Sequence, residues 1–229
     1  MRAFGAVLAL ALVLAPLAGR TEGPERPIVV ELFTSQGCSS CPPADALLRE
    51  LARSRSDVLA LAFHVTYWDR LGWPDPYALP ASTERQRGYA RISHTGGLYT
   101  PQMVVDGTRD VVGSDRAAVQ AALRAARAEA VVAVRVFADG AEARIDMGAG
   151  AGAGRVWLIG YDTERVTAVA RGENAGRRLV EANIVRGVTL AGEWTGQALR
   201  LALARPNGER LAVIVQAADG RILGAAREG

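Results

Sequence analysis

The chain has 229 residues and a formal charge of +3, with 49% apolar and 22% charged residues, enough to build a sizeable core and too apolar for a disordered tail. All 27 basic residues are arginine, which excludes chemistry that needs lysine, such as a Schiff base or a phosphate-loop ammonium. Those arginines are scattered instead of lining one stripe, so no nucleic-acid partner is indicated.

Residues 1–20 place one early charge, Arg2, before an apolar run from Ala3 to Ala18. The run is shorter than the roughly 20 residues that a spanning helix needs. It predicts a signal peptide cleaved between Ala15 and Arg20, and hence export to the periplasm or the extracellular space without stable membrane insertion. Arg20 stands where a lipid-bearing cysteine would be required, which argues against a lipoprotein anchor.

After a polar segment, "IVVELFT" (28–34) predicts a buried strand, "ADALLRELARS" a helix from Ala44, and "DVLALAFHV" (57–65) a second buried strand. This order is that of a right-handed parallel unit. An aromatic stretch, "TYWDRLGWPDPYALP", comes next, followed by a helix over 81–92. Strands at 102–105 and 109–112 flank Asp106-Gly107, a tight-hairpin signal. Ser114 is the expected cap of an alanine-rich last helix. Beyond Ala130 the sequence breaks into short strand-like runs, "VVAVRVF" to "RILGAAR", several separated by Asp-Gly or Asn-Gly turns. That spacing suits an antiparallel sandwich. The expected organisation is therefore an α/β unit over 27–129 and a β-rich unit over 130–229.

Both cysteines lie in one short motif, Cys38-Ser39-Ser40-Cys41. A loop with two intervening residues restricts the unfolded chain little, so stabilisation is a poor reason for the pair. Its position between strand and helix favours a thiolate instead. Pro42 and Pro43 cannot donate hydrogen bonds, so regular helix should begin near Cys41. Cys38 is the expected exposed attacking sulfur and Cys41 the buried resolving one. Both parallel strands end at one sheet edge, which brings "HVTYWD" (64–69) beside the cysteines. A cis Thr100–Pro101 bond would set extended backbone there for a substrate to pair with. Tyr67, Trp68 and Trp73 either pack over the site or line a substrate groove. His64 is a hydrogen-bonded strand-end residue or a ligand.

The motif "VVELFTSQGCSSCPPAD", then "TPQMVVDG" and a following helix, resembles the thioredoxin superfamily over residues 27–129. More narrowly, "YWDRLGWPDPY", "YTPQMVVDG" and "RGENAGRRLVEANIVR" resemble a family of secreted thioredoxin-like proteins catalogued as a domain of unknown function, over almost the whole mature chain. The resemblance implies a thioredoxin-like domain followed by a sandwich-like one, a redox-active pair at Cys38 and Cys41, and a cis-proline at Pro101. It also implies a buried acid in the first strand that takes a proton from the second thiol, a role for which Glu31 is the candidate. Gly37 replaces the usual tryptophan and Ser39-Ser40 the usual Gly-Pro, which leaves the direction of electron flow open.

Three functions are consistent with these residues. The first is an exported thiol–disulfide oxidoreductase without cofactor, acting on a protein or small-thiol substrate and recycled by a redox partner, with Thr100, His64, Tyr67, Trp68 and Trp73 at its substrate site. The second is a copper carrier using Cys38, Cys41 and His64. The third is a binding module in which the β-rich half recognises a partner.

Overall fold

The structure, a computed structural model, describes residues 25–93, 96–126 and 129–229. The expected signal peptide lies outside the described residues, as does His94. The elements run β1 (Ile28–Thr34), α1 (Pro42–Ser54), β2 (Val58–His64), a 3-10 turn (Thr66–Leu71), α2 (Pro80–Ser93), β3 (Gln102–Val105), β4 (Arg109–Val112) and α3 (Arg116–Ala125). They continue with β5 (Val134–Asp139), β6 (Glu142–Met147), β7 (Gly154–Ala168), β8 (Arg178–Trp194), β9 (Leu199–Ala204), β10 (Arg210–Gln216) and β11 (Ile222–Arg227).

Every residue of β1 and β2 is buried, as expected of parallel strands covered on both faces. Side chains alternate across them. Val30, Leu32, Ala60 and Ala62 meet α1 and α3, while Val29, Phe33, Leu61 and Phe63 face Tyr89 of α2. Cys41 caps α1 without a side-chain bond, and prolines fill its first positions, where a missing N–H matters least. The cap of α3 differs from expectation. Asp115, not Ser114, accepts the Ala118 N–H at 3.0 Å, because it stands directly before the first helical residue.

The β3–β4 turn places Asp106 and Gly107 at φ values of 53° and 73°, the geometry that Asn-Gly and Asp-Gly turns supply. A Cβ on Gly107 would come within 1.9 Å of the Gly220 carbonyl oxygen, so only glycine permits this approach of the β3–β4 and β10–β11 turns. These two hairpins end opposite sides of one eight-stranded mixed sheet, ordered β11-β10-β7-β8-β2-β1-β3-β4. The sheet thus curls back on itself. Apolar residues of both halves share one cluster inside the curl, among them Phe33, Phe63, Ile159 and Ile214.

The seam of the large sheet is the parallel contact of Ala62 with Ile184. Asn183, at φ 50°, reinforces it by donating to the Ala60 carbonyl at 2.8 Å. The sheet therefore runs unbroken across residue 130. A second sheet, β5-β6-β9, packs against β7, β10 and β11 around Val136, Ile145, Leu158, Val213 and Trp194. Several short strands expected after residue 130 are fused. β7 and β8 have 15 and 17 residues and form one long hairpin. No turn signal interrupts either, and two register shifts accommodate their twist.

Candidate functional site

Cys38 and Cys41 are joined as a disulfide, with Cα atoms 5.4 Å apart. The pair lies between β1 and α1, and turn bonds run from Cys38 N to Ser35 O (3.1 Å) and from Cys41 N to Cys38 O (3.2 Å). Thr100 Oγ donates to Cys38 Sγ at 3.3 Å, and the Ser40 hydroxyl lies 3.2 Å from the same sulfur. The Thr100–Pro101 peptide is cis. The Pro101 carbonyl accepts the Gly113 N–H at 2.9 Å.

Burial differs from expectation. Neither cysteine has exposed surface, whereas Ser39 and Ser40 between them are exposed. Hydroxyl groups crowd Cys38, and its main chain is clamped from the β-rich half. Asn174 Nδ2 donates to the carbonyls of both Gln36 and Cys38 at 2.9 Å, and Glu173 accepts the Ser39 N–H at 3.0 Å. Both residues belong to the connector 169–177 between β7 and β8.

The aromatic stretch anchors either side of this loop. Trp68 Nε1 donates to Thr100 Oγ at 2.8 Å, and Trp73 Nε1 to Gln36 Oε1 at 3.0 Å. The Tyr67 hydroxyl donates to Gln86 at 3.2 Å and its side chain also bonds Thr100, the donor to Cys38 Sγ. Glu31 lies elsewhere. As an odd-numbered β1 residue it faces the inside of the curl with Val29 and Phe33. There Arg85 binds it through Nε and Nη2, and the Tyr89 hydroxyl donates to it. α1 covers the other face, so strand alternation separates this carboxylate from the sulfurs.

On the α1 face the structure gathers a different set of buried groups. His64 Nδ1 lies 2.7 Å from Asp75 Oδ2, which also accepts the Gln36 N–H at 2.8 Å. Gln36 Nε2 donates to Glu181 at 2.6 Å, and Glu181 Oε1 stands 3.7 Å from His64 Nε2. Thr34 Oγ donates to Asp45 at 2.8 Å. Asp45 follows Cys41 by four residues, and its N–H bonds the Cys41 carbonyl, so the two side chains share a helix face. Burial pushes the His64 imidazole down, but Asp75, Glu181 and Asp45 outweigh it and raise it to about 9. Asp45 is raised to about 7, first by burial and then by the Glu181 charge. Burial also raises Glu181. For Asp75 burial pushes upward, and the His64 cation reverses this and holds it low.

Both His64 nitrogens face carboxylates, and a protonated imidazole has no lone pair for a metal. Among the described residues no group of three His, Cys, Asp or Glu side chains is placed to hold a metal ion.

Sequence reading missed Gln36, Asp45, Asp75, Glu181 and Asn174 as members of the site. Asp45 carried a usable signal, an acid on the apolar face of α1 one turn past Cys41. Glu181 and Asn174 lie in the segment "RGENAGRRLVEANIVR", but that resemblance did not place their side chains, which reach the site through the pairing of β8 with β2.

The fold and site define a mixed α/β protein with a Cys-x-x-Cys disulfide at a strand–helix junction, clamped by a hairpin from its β-rich half. The chain belongs to the family described as "Protein of unknown function (DUF1223)", whose model matches residues 29–216. It is similar to protein AGR_C_4864 from Agrobacterium tumefaciens, known from a crystal structure, at 35% identity and a TM-score of 0.75, over 90% of this chain and 95% of that one. It also resembles HBP35 of Porphyromonas gingivalis in fold, at 14% identity and a TM-score of 0.57, over 90% of this chain and 76% of that one. No curated protein matches it.

Proposed function

We propose that the protein is an exported thiol–disulfide oxidoreductase whose α/β half is thioredoxin-like. The observation that carries this reading is the Cys38–Cys41 disulfide at the end of β1, with Thr100 donating to Cys38 Sγ beside the cis Pro101. Hydroxyl donors at 3.2 and 3.3 Å favour a thiolate on Cys38 over one on Cys41. A substrate thiolate attacks Cys38 Sγ, the Cys38–Cys41 bond breaks, and Cys41 leaves as a thiolate that takes up a proton. A second substrate thiolate then attacks the substrate sulfur of the mixed disulfide and releases Cys38. Two electrons pass to the protein and the substrate leaves as a disulfide. Run in reverse, the same steps reduce a substrate. An exported dithiol or disulfide partner restores the starting state.

Burial of both sulfurs means that the covering residues must open before exchange, so rates should be slower than for an exposed pair. The test is equilibration with glutathione redox buffers, followed by mass spectrometry of trapped thiols. The wild type should show one two-electron transition. Cys41→Ser should accumulate a mixed disulfide on Cys38, and Cys38→Ser should accumulate none. A pair that stays oxidised in every buffer, with no trapped adduct, overturns the proposal.

A further inference from the structure

We propose that the connector 169–177 selects the substrate: it admits disulfides that carry carboxylates near their sulfurs, which displace Glu173 from the Ser39 N–H and pair with Arg171, Arg177 and Arg178. This rests on the exchange reading above and names the chemistry it favours.

The connector is ordered by its own main chain. Val169 N bonds Arg177 O at 2.9 Å, Gly176 N bonds Val169 O at 2.9 Å, and Arg177 N bonds Asn174 O at 3.1 Å. Its tip touches the redox loop at two consecutive residues with opposite roles. Asn174 is buried, and its two bonds to the carbonyls of Gln36 and Cys38 tether the connector. Glu173 is exposed; it accepts the Ser39 N–H at 3.0 Å and is also bonded by the Ser39 side chain. That contact depresses the Glu173 carboxyl, chiefly through the Ser39 hydrogen bonds. The N–H between the two cysteines is therefore a place that a carboxylate occupies in the resting protein. A bond in water's reach is readily exchanged for an equivalent one, so a substrate carboxylate can take the place of Glu173 while Asn174 keeps the connector seated.

Charge on the connector and on the first residue of β8 supplies the preference. Arg171, Arg177 and Arg178 are all exposed. None has a hydrogen-bond or ion-pair partner for its guanidinium among the described residues. The local acid, Glu173, is taken up by Ser39. Three cations lie within five residues of Asn174, which bonds the Cys38 carbonyl, and the loop that holds the disulfide, Gly37 to Pro43, carries no charge of its own. Such a field concentrates anionic reactants and repels cations. Guanidinium groups also bind carboxylates in a bidentate fork, which orients the incoming sulfur as well as attracting it.

The experiment measures the reaction of the reduced full chain with three small disulfides that differ in charge: dithiodiglycolate (anionic), hydroxyethyl disulfide (neutral) and cystamine (cationic). Each rate is divided by that of dithiothreitol with the same disulfide, which removes intrinsic reactivity. At low ionic strength the normalised rates should fall from the anion to the cation by about tenfold, a modest steering effect. The spread should collapse as salt shortens the screening length below about 10 Å. The triple charge reversal R171E/R177E/R178E should invert the order, and the triple Arg→Lys variant should keep it. Equal normalised rates for the three disulfides, or an unchanged order after charge reversal, overturn the selection proposal alone. Failure of the free thiols to react with any of the three overturns the exchange reading and this proposal together.

Discussion

The two faces of β1 and β2 each bury charge, and they do so in opposite ways. Inside the curl, Glu31 meets a single cation, Arg85, which binds both its oxygens, while Tyr89 supplies a further donor and Gln216 bonds the Tyr89 hydroxyl. The Arg85 guanidinium also lies over the rings of Phe63, Tyr89 and Trp157 at 5.6, 5.5 and 5.3 Å. Charge is matched there, and the polar atom left buried without a hydrogen-bond partner is the neutral Trp157 Nε1. On the α1 face three carboxyl groups, Asp45, Asp75 and Glu181, share the one imidazole of His64. His64 Nε2, Glu181 Oε1 and Asn174 Oδ1 are left buried without hydrogen-bond partners. A matched pair locks a fold, whereas an excess of carboxyl groups in low dielectric must hold protons. The first face is structural. The second, beside the disulfide, is the face whose stability should respond to pH.

The sharpest break of that contrast is Arg85→Met. It strands the Glu31 carboxylate in the apolar curl and should cost about 3–5 kcal/mol in urea unfolding, while the disulfide potential stays at its wild-type value. A shifted potential would tie this face to the redox site and erase the distinction.

Next in size is a pH dependence confined to the α1 face. Asp45 has its folded value raised from 3.8 to about 7. The folded state thus binds the extra proton, and stability present below pH 3.8 is lost as pH rises through about 7. His64, raised from 6.5 to about 9, adds a loss of the same sign between those values. Asp45→Asn should flatten the lower window by about 2–4 kcal/mol, measured as unfolding midpoints of the oxidised protein across pH. A midpoint that rises over this window in the wild type would contradict the sign.

Reducing the disulfide should matter less. Closing so short a loop contributes about 2 kcal/mol on the chain-entropy account, readable by comparing urea midpoints with and without dithiothreitol. The smallest effect is Asn174→Ala, which removes a donor from each of two carbonyls, Gln36 and Cys38, for about 1–2 kcal/mol. Because one of those carbonyls belongs to Cys38, the same variant should also move the redox potential. A stability loss with an unmoved potential would make the clamp purely structural.

Legibility followed the range of the interaction. The strand–helix–strand order, the Cys-x-x-Cys at its first junction and the Asp106-Gly107 hairpin all rest on local rules of periodicity, turn chemistry and proline placement, and all were readable. Trp68 and Trp73 were readable as neighbours of the cysteines, though not as hydrogen-bond donors to Thr100 and Gln36. Glu31 misled because a pattern buried on both faces does not reveal which face a given residue takes. Continuity of the large sheet across residue 130 was hidden too, since its seam is one register pair and an Asn183 side-chain bond.

By itself, then, the chain's order of residues determined which elements form and that two sulfurs stand where β1 meets α1, because those outcomes depend on neighbours a few positions apart. Only the tertiary structure decided that both sulfurs are covered, that Glu181 and Asn174 reach back 145 and 138 residues to Gln36, and that the carboxyl groups around His64 outnumber it. Desolvation and charge coupling depend on distance in space, and the curl of the sheet sets that distance.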